Sequence, residues 1–154
     1  MNSAHRGDTP RIGPGTYYEN VVIQWHSLTL VGASAGETTV DGKFKGPVFV
    51  LGPQNGGATP TTTLSVTLAD MTITHGKGVT GGGIAQNVSA FEVRDSIIES
   101  NIATQSGGGM EVEAFSVKPS DAVTTAIKNC VIANNQGPQG AGILIEPEID
   151  VQIS

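Results

Sequence analysis

Cysteine, aromatic residues and charge are all scarce in this chain of 154 residues. The single Cys130 excludes an internal disulfide, and no His/Cys group has the spacing of a zinc site. Charged residues make up only 14% of the chain, and the net charge is −6. That balance argues against a nucleic-acid partner, because phosphate binding needs clustered Lys and Arg. It would also repel an acidic polymer unless a cation or a local basic row intervened. No apolar run approaches the roughly 18 residues of a membrane-spanning helix. Residues 1–11 carry no apolar signal-peptide core. No segment sustains a helical period, and neither a Gly-x-Ser-x-Gly elbow nor a phosphate-cradling loop occurs.

Glycine is abundant instead, at 21 residues, among many Val, Ile and Thr. Short apolar runs alternate with turn clusters from Ile12 onward. Strand-like runs are expected at Tyr17–Ile23, Leu28–Val31, Thr38–Val40, Pro47–Leu51, Leu64–Thr74, Gly83–Ala85, Ala90–Glu99, Gly109–Val112, Thr124–Ile132, Gly142–Ile145 and Ile149–Ile153. Residues 1–11 read as a disordered or extended tail, and 12–154 as one domain.

A three-fold echo organises these runs. Leu68-Ala69-Asp70-Met71-Thr72-Ile73 precedes Gly81-Gly82-Gly83-Ile84. Val93-Arg94-Asp95-Ser96-Ile97-Ile98 precedes Gly107-Gly108-Gly109-Met110, and Ile127-Lys128-Asn129-Cys130-Val131-Ile132 precedes Gly140-Ala141-Gly142-Ile143. Repeats of this length are stacked copies of one supersecondary unit. The Asp/Asn positions are 25 and then 34 residues apart, and the extra length fits one loop at Glu113–Asp121. Strands this short, with no helices between them, cannot form a βαβ sheet. A β-sandwich predicts hairpins and no fixed motif. A parallel solenoid of four to five coils, with coils about 4.8 Å apart, explains the echo directly. It stacks Ile73 on Ile98 and Ile132, Ile84 on Met110 and Ile143, and Leu68 on Val93 and Ile127, all facing inward. The small triplets mark bends that need positive φ or close backbone approach.

The echo resembles the right-handed parallel β-helix repeats of the pectin-lyase-like superfamily, above all surface-protein versions in which a Gly-Gly-apolar strand alternates with an apolar-x-x-Asn strand. Ile98-Glu99-Ser100-Asn101 and Ile132-Ala133-Asn134-Asn135 match the second element, whereas Ile73-Thr74-His75-Gly76 lacks its Asn. Gly13-Pro14-Gly15-Thr16-Tyr17-Tyr18-Glu19-Asn20-Val21 resembles the opening coil of pectinesterases. The resemblance implies an all-β, right-handed, single-stranded parallel β-helix in an extracellular or cell-surface protein. The later pectinesterase motifs, with two Asp and an Arg, are not found, nor is the polygalacturonase Asp-Asp pair. Asn2–Pro10 cannot form the amphipathic cap usual in such proteins, and the chain stops within a coil. Both solenoid ends are therefore expected to present strand edges that invite another chain.

One acidic column draws attention. Asn87, Glu113 and Glu146 align after the small triplets, with Glu111 and Glu148 beside them. Three readings stay open: a Ca²⁺ site using Glu113 and Glu146, catalytic carboxylates Glu111, Glu113 and Glu146 acting on a sugar bond, or a solvated acidic rim. The lyases of the resembled superfamily use a basic residue as proton acceptor. Here Lys77, Arg94, Lys118 and Lys128 are the bases of the repeat region; Arg94 and Lys128 share a column that flanks Asp95 and Asn129. Trp25 and His26 form either an aromatic patch for stacking on sugar or a cover for the core end. With Asn87, they are the ligand-binding candidates. His75 reads as a surface turn residue and Cys130 as a small strand residue. Thr72 and Thr74 flank Ile73, but later coils do not keep the row, which excludes an ice-binding face. The leading expectation is a non-catalytic module for glycan binding, adhesion or scaffolding. The alternatives are a polysaccharide lyase or glycoside hydrolase acting on an acidic polysaccharide, and an end-to-end homo-oligomer.

Overall fold

A computed structural model describes residues 7–53, 63–113, 124–145 and 149–154 of the chain. The described residues are all β, with seventeen short strands wound as five stacked coils. Coil 1 comprises β1 (Gly15–Tyr17), β2 (Val21–Ile23) and β3 (Leu28–Val31). Coil 2 comprises β4 (Thr38–Asp41), β5 (Phe49–Leu51) and β6 (Ser65–Ala69). Coil 3 adds a fourth strand: β7 (Thr72–Thr74), β8 (Lys77–Thr80), β9 (Ile84–Gln86) and β10 (Ala90–Arg94). Coil 4 repeats it with β11 (Ile97–Glu99), β12 (Ile102–Ser106), β13 (Met110–Val112) and β14 (Thr124–Lys128). Coil 5 holds β15 (Val131–Ala133), β16 (Ile143–Ile145) and β17 (Asp150–Ile153).

Each strand pairs in parallel with its counterpart one coil away. The first sheet runs β1-β4-β7-β11-β15, the second β2-β5-β9-β13-β16 and the third β3-β6-β10-β14-β17. A two-stranded sheet, β8-β12, lies between the first and the second. It is extended to coil 5 by single bridges from Ile102 to Gln136 and from Ser106 to Gln139. The fold expected from the repeat is thus the fold observed, a parallel β-helix. Residues 8–11 run alongside β3, with Thr29 N–H donating to Asp8 O and Val31 N–H to Pro10 O.

The register puts like on like. Ile73, Ile98 and Ile132 are in line, as are Ile84, Met110 and Ile143, and Leu68, Val93 and Ile127. Phe49, Leu68, Ile73, Ile84, Ile98 and Met110 are fully buried. Burying each such side chain contributes roughly 1.5–3 kcal/mol relative to exposure.

The long runs expected at Leu64–Thr74, Ala90–Glu99 and Thr124–Ile132 are each two strands with a corner between them. The corner residues Asp70, Asp95 and Asn129 have φ of 58°, 52° and 49°. Left-handed backbone suits Asp and Asn, whose short polar side chains bond locally. Tyr17–Ile23 divides in the same way around residues 18–20. Cys130 consequently lies in a corner and not in a strand: it follows Asn129, aligned with Ser96. Its half-buried Sγ approaches Lys128 O at 3.2 Å. Burial raises the thiol pKa above its usual value, against the lowering effect of nearby backbone hydrogen bonds.

Two further left-handed positions complete each later coil. His75, Ser100 and Asn134 turn the chain out of the first sheet, and Gly81, Gly107 and Gly140 turn it into the second. A pair of asparagines, one buried and one half-buried, locks the first of these. Asn101 is fully buried; its Nδ2 donates to Ile73 O (3.1 Å), and its Oδ1 accepts from Gly76 N–H (2.8 Å). Asn135 Oδ1 accepts from Asn101 N–H (3.0 Å), while Asn135 Nδ2 donates to Ile98 O (2.9 Å). The missing third Asn is explained by space. A Cβ on Gly76, the equivalent residue of coil 3, would lie 1.9 Å from Gly82 O.

Candidate functional site

The second sheet carries one of the acidic candidates, Glu111. Val22, Val50, Ala85, Glu111 and Leu144 form its outward column, in register across five coils. In coil 4 the chain folds back over that column. A Cβ on Gly107 would come within 2.9 Å of Glu111 Cβ, and Ser106 Oγ donates to Glu111 Oε1 at 3.0 Å. Glu111 is only 4% exposed, so its carboxylate is committed to Ser106 beneath the surface. Gly81 covers Ala85 similarly, with a Cβ there 2.6 Å from Ala85 Cα.

Asn87 and Glu113 follow directly after β9 and β13, neighbours one coil apart. Asn87 Nδ2 donates to Pro53 O (3.0 Å), and Glu113 N–H donates to Gln86 O (3.0 Å). Glu146, Glu148 and Lys118 lie outside the described residues. No group of three or more His, Cys, Asp or Glu that could hold a metal ion occurs among the described residues. Arg94 and Lys128 do flank the Asp/Asn corner. Arg94 pairs with Asp95 (3.0 Å) and Glu92 (3.3 Å), and Lys128 with Glu92 (2.7 Å). The hydrogen bond from Asn129, followed by that from Arg94, holds the Asp95 carboxyl below its usual pKa.

Coils 1 and 2 lack the glycine corner that covers coils 3 and 4, and their surface differs accordingly. Val22 is 58% exposed, Tyr18 60%, Trp25 48% and Phe44 45%. His26 is exposed beside Trp25. The other described Phe residues, Phe49 and Phe91, are buried. Among the described residues, every exposed ring of Phe, Tyr or Trp therefore lies between positions 18 and 44, on the first two coils.

Stacking brings two of these rings into one corner with polar groups far away in sequence. Asn20 Nδ2 ties loop 18–20 to the next coil through Gly46 O (3.1 Å) and Pro47 O (2.9 Å). Asp41 Oδ1 accepts from Lys43 N–H (2.8 Å), and Asp41 Oδ2 bonds His75 Nδ1 (3.0 Å). Burial pushes the Asp41 carboxyl up, but the hydrogen bonds from His75 and Lys43 N–H, with the charges of both, outweigh it and leave the pKa lowered. Lys43 Nζ sits 3.6 Å above the Tyr18 ring centroid. The Phe44 ring lies 5.1 Å from that of His75, and Phe44 N–H donates to His75 O.

Lys43 and Phe44 both have positive φ, 49° and 55°. Two consecutive non-glycine residues in this region carry strain of order 1–3 kcal/mol each. Such strain persists only where surrounding bonds fix it, here those of Asp41 and His75. The corner can offer exposed aromatic rings and an ammonium on a rigid frame. The sequence held one local signal for it: a ring between two lysines directly after Asp41-Gly42. Tyr18, His75 and Lys77 join only through coil stacking.

Compared with known protein families, with curated proteins and with solved structures, the chain matches none.

Proposed function

We propose that this chain is a non-catalytic β-helix module that binds glycan at an extracellular or cell surface. The observation that carries the reading is the gathering of the exposed rings Tyr18, Trp25 and Phe44 on coils 1 and 2. Aromatic side chains join a large apolar face to polar neighbours, which suits ligands that are apolar on one side and hydroxylated at the edge. A pyranose ring has that character. The extracellular placement rests on the likeness of the repeat to surface-protein β-helices.

Binding is favoured over bond cleavage by the state of Glu111. A glycosidase needs two carboxyl groups flanking the scissile bond, and Glu111 is occupied by Ser106 below the surface. The test is affinity electrophoresis of the folded protein through gels containing neutral or uronic-acid polysaccharides, beside an assay for new reducing ends. Retardation without bond cleavage is expected, with a loss of roughly tenfold or more in affinity for Trp25→Ala or the Tyr18→Ala/Phe44→Ala pair. Failure of every glycan to retard the protein would overturn the proposal. Turnover that disappears in Glu113→Gln would replace it with the enzymatic reading.

A further inference from the structure

Among the described residues, the lysines without a salt bridge lie at this same corner. Four lysines are described: Lys43, Lys45, Lys77 and Lys128. Lys128 is bound to Glu92 at 2.7 Å. Lys43, Lys45 and Lys77 are exposed and make no ion pair among the described residues. They are backbone neighbours although two coils supply them. Lys77 N–H donates to Gly46 O at 2.9 Å, and Phe44 N–H donates to His75 O at 2.6 Å. In a chain of net charge −6, three exposed lysines on neighbouring backbone outnumber the Asp41 carboxylate among them.

One carboxylate among them, Asp41, interacts with the Lys43 charge and offsets part of the total. Asp41 has a side chain only 15% exposed, and its two oxygens are taken by Lys43 N–H and His75 Nδ1. Glu19 lines a cavity of about 320 Å³ at the N-terminal end of the helix, with Arg11 on the same lining. Lys43 is held with its Nζ over the Tyr18 ring, so an anion bound there brings its carrier alongside an aromatic face. Phe44 stands between Lys43 and Lys45, half-exposed against His75.

Resting on the glycan-binding reading above, we infer that the ligand of this corner is an anionic glycan. Its carboxylate or sulfate groups meet Lys43, Lys45 and Lys77, and its sugar faces meet Tyr18 and Phe44. Three lysines on an otherwise acidic molecule suit anions spaced along a sugar chain. They are too few for the dense, continuous charge of a polynucleotide, whose binders neutralise many phosphates at once.

The experiment compares matched glycans by calorimetry or affinity electrophoresis: a uronate polymer against its carboxyl-reduced form, and a sulfated polymer against its desulfated form. Wild type is set beside K43Q/K45Q/K77Q, whose fold is verified by its unchanged thermal midpoint. Preference for an anionic member by about tenfold or more is expected, with its loss in the triple variant. Raising the salt to about 1 M, where the Debye length falls to about 3 Å, should remove it as well. Which pair shows the preference tells carboxylate from sulfate. Equal binding of charged and neutral members, unaffected by the triple variant, would overturn the anionic inference and leave the glycan reading intact. No binding of any glycan would overturn both. Tighter binding of a single-stranded polynucleotide than of any glycan, lost in the triple variant, would reassign the corner to nucleic acid.

Discussion

Coils 3 to 5 turn the corner after the first sheet with single left-handed residues, His75, Ser100 and Asn134, whereas coil 2 turns it with the successive pair Lys43 and Phe44. In the later coils, asparagine side chains fill the corner from within, and glycines let the next coil approach. In coil 2 the turn is held from outside by Asp41 and His75, leaving a ring and two lysines in solvent. Regular coils spend their polar groups on backbone partners. The irregular coils also bond backbone through Asn20 and Asp41, but they leave Lys43, Phe44 and Lys45 exposed.

The contrast breaks most sharply at the close backbone approaches. Gly76→Ala places a Cβ 1.9 Å from Gly82 O, and neither backbone can retreat within the stack. A loss of more than about 4 kcal/mol is expected. Gly36→Ala, between coils 1 and 2, meets nothing within 4 Å and should change stability by no more than about 0.5 kcal/mol. Urea unfolding of the two variants checks the difference; equal midpoints would show that the stack does not enforce the glycine.

The asparagines provide a milder comparison. Asn101→Ala strips Ile73 O and Gly76 N–H of their partner in the core and should cost about 3 kcal/mol. For a domain of this size that lowers the thermal midpoint by about 2–4 °C per kcal/mol. Asn20→Ala frees two carbonyls that water can reach, so less than about 1 kcal/mol is expected. Melting curves that rank the pair the other way would place the greater structural demand in the early coils.

The smallest effect is a pH dependence. The folded-state pKa of Asp41 is lowered. The carboxylate therefore adds stability above its unfolded pKa, and this contribution fades as pH falls through the folded value. Asp41→Asn should melt below wild type near neutral pH. The gap should close under acid conditions, below the ordinary carboxylate range of about 3.9. A gap that persisted undiminished at pH about 2 would mean that the carboxylate charge is not what holds the Lys43–Phe44 turn.

Much of the fold was legible because stacking copies sequence into space. A residue repeated once per coil stands above its predecessor, so the aliphatic lines through Ile73, Ile84 and Leu68 followed directly from the echo. What the echo hid was the division of runs such as Leu64–Thr74 into two strands. Asp70 is polar within an apolar stretch, and a one-residue left-handed corner hardly interrupts an apolar pattern. The acidic column was legible as an alignment but not as a site. Alignment places Glu111 next to Glu113 without showing that the Ser106–Gly107 corner folds over the former. Trp25 was legible as a sole tryptophan, but its exposure depends on the corners that surround it.

The sequence by itself determined the coil period, the inward aliphatic lines and the residue types able to turn left-handed corners. Each follows from local sterics and from the alternation of side chains along a strand. Tertiary structure alone decided which outward groups meet. Tyr18, Lys43 and His75 belong to three successive coils, and the distance between them is set by the spacing of parallel strands, not by their separation along the chain.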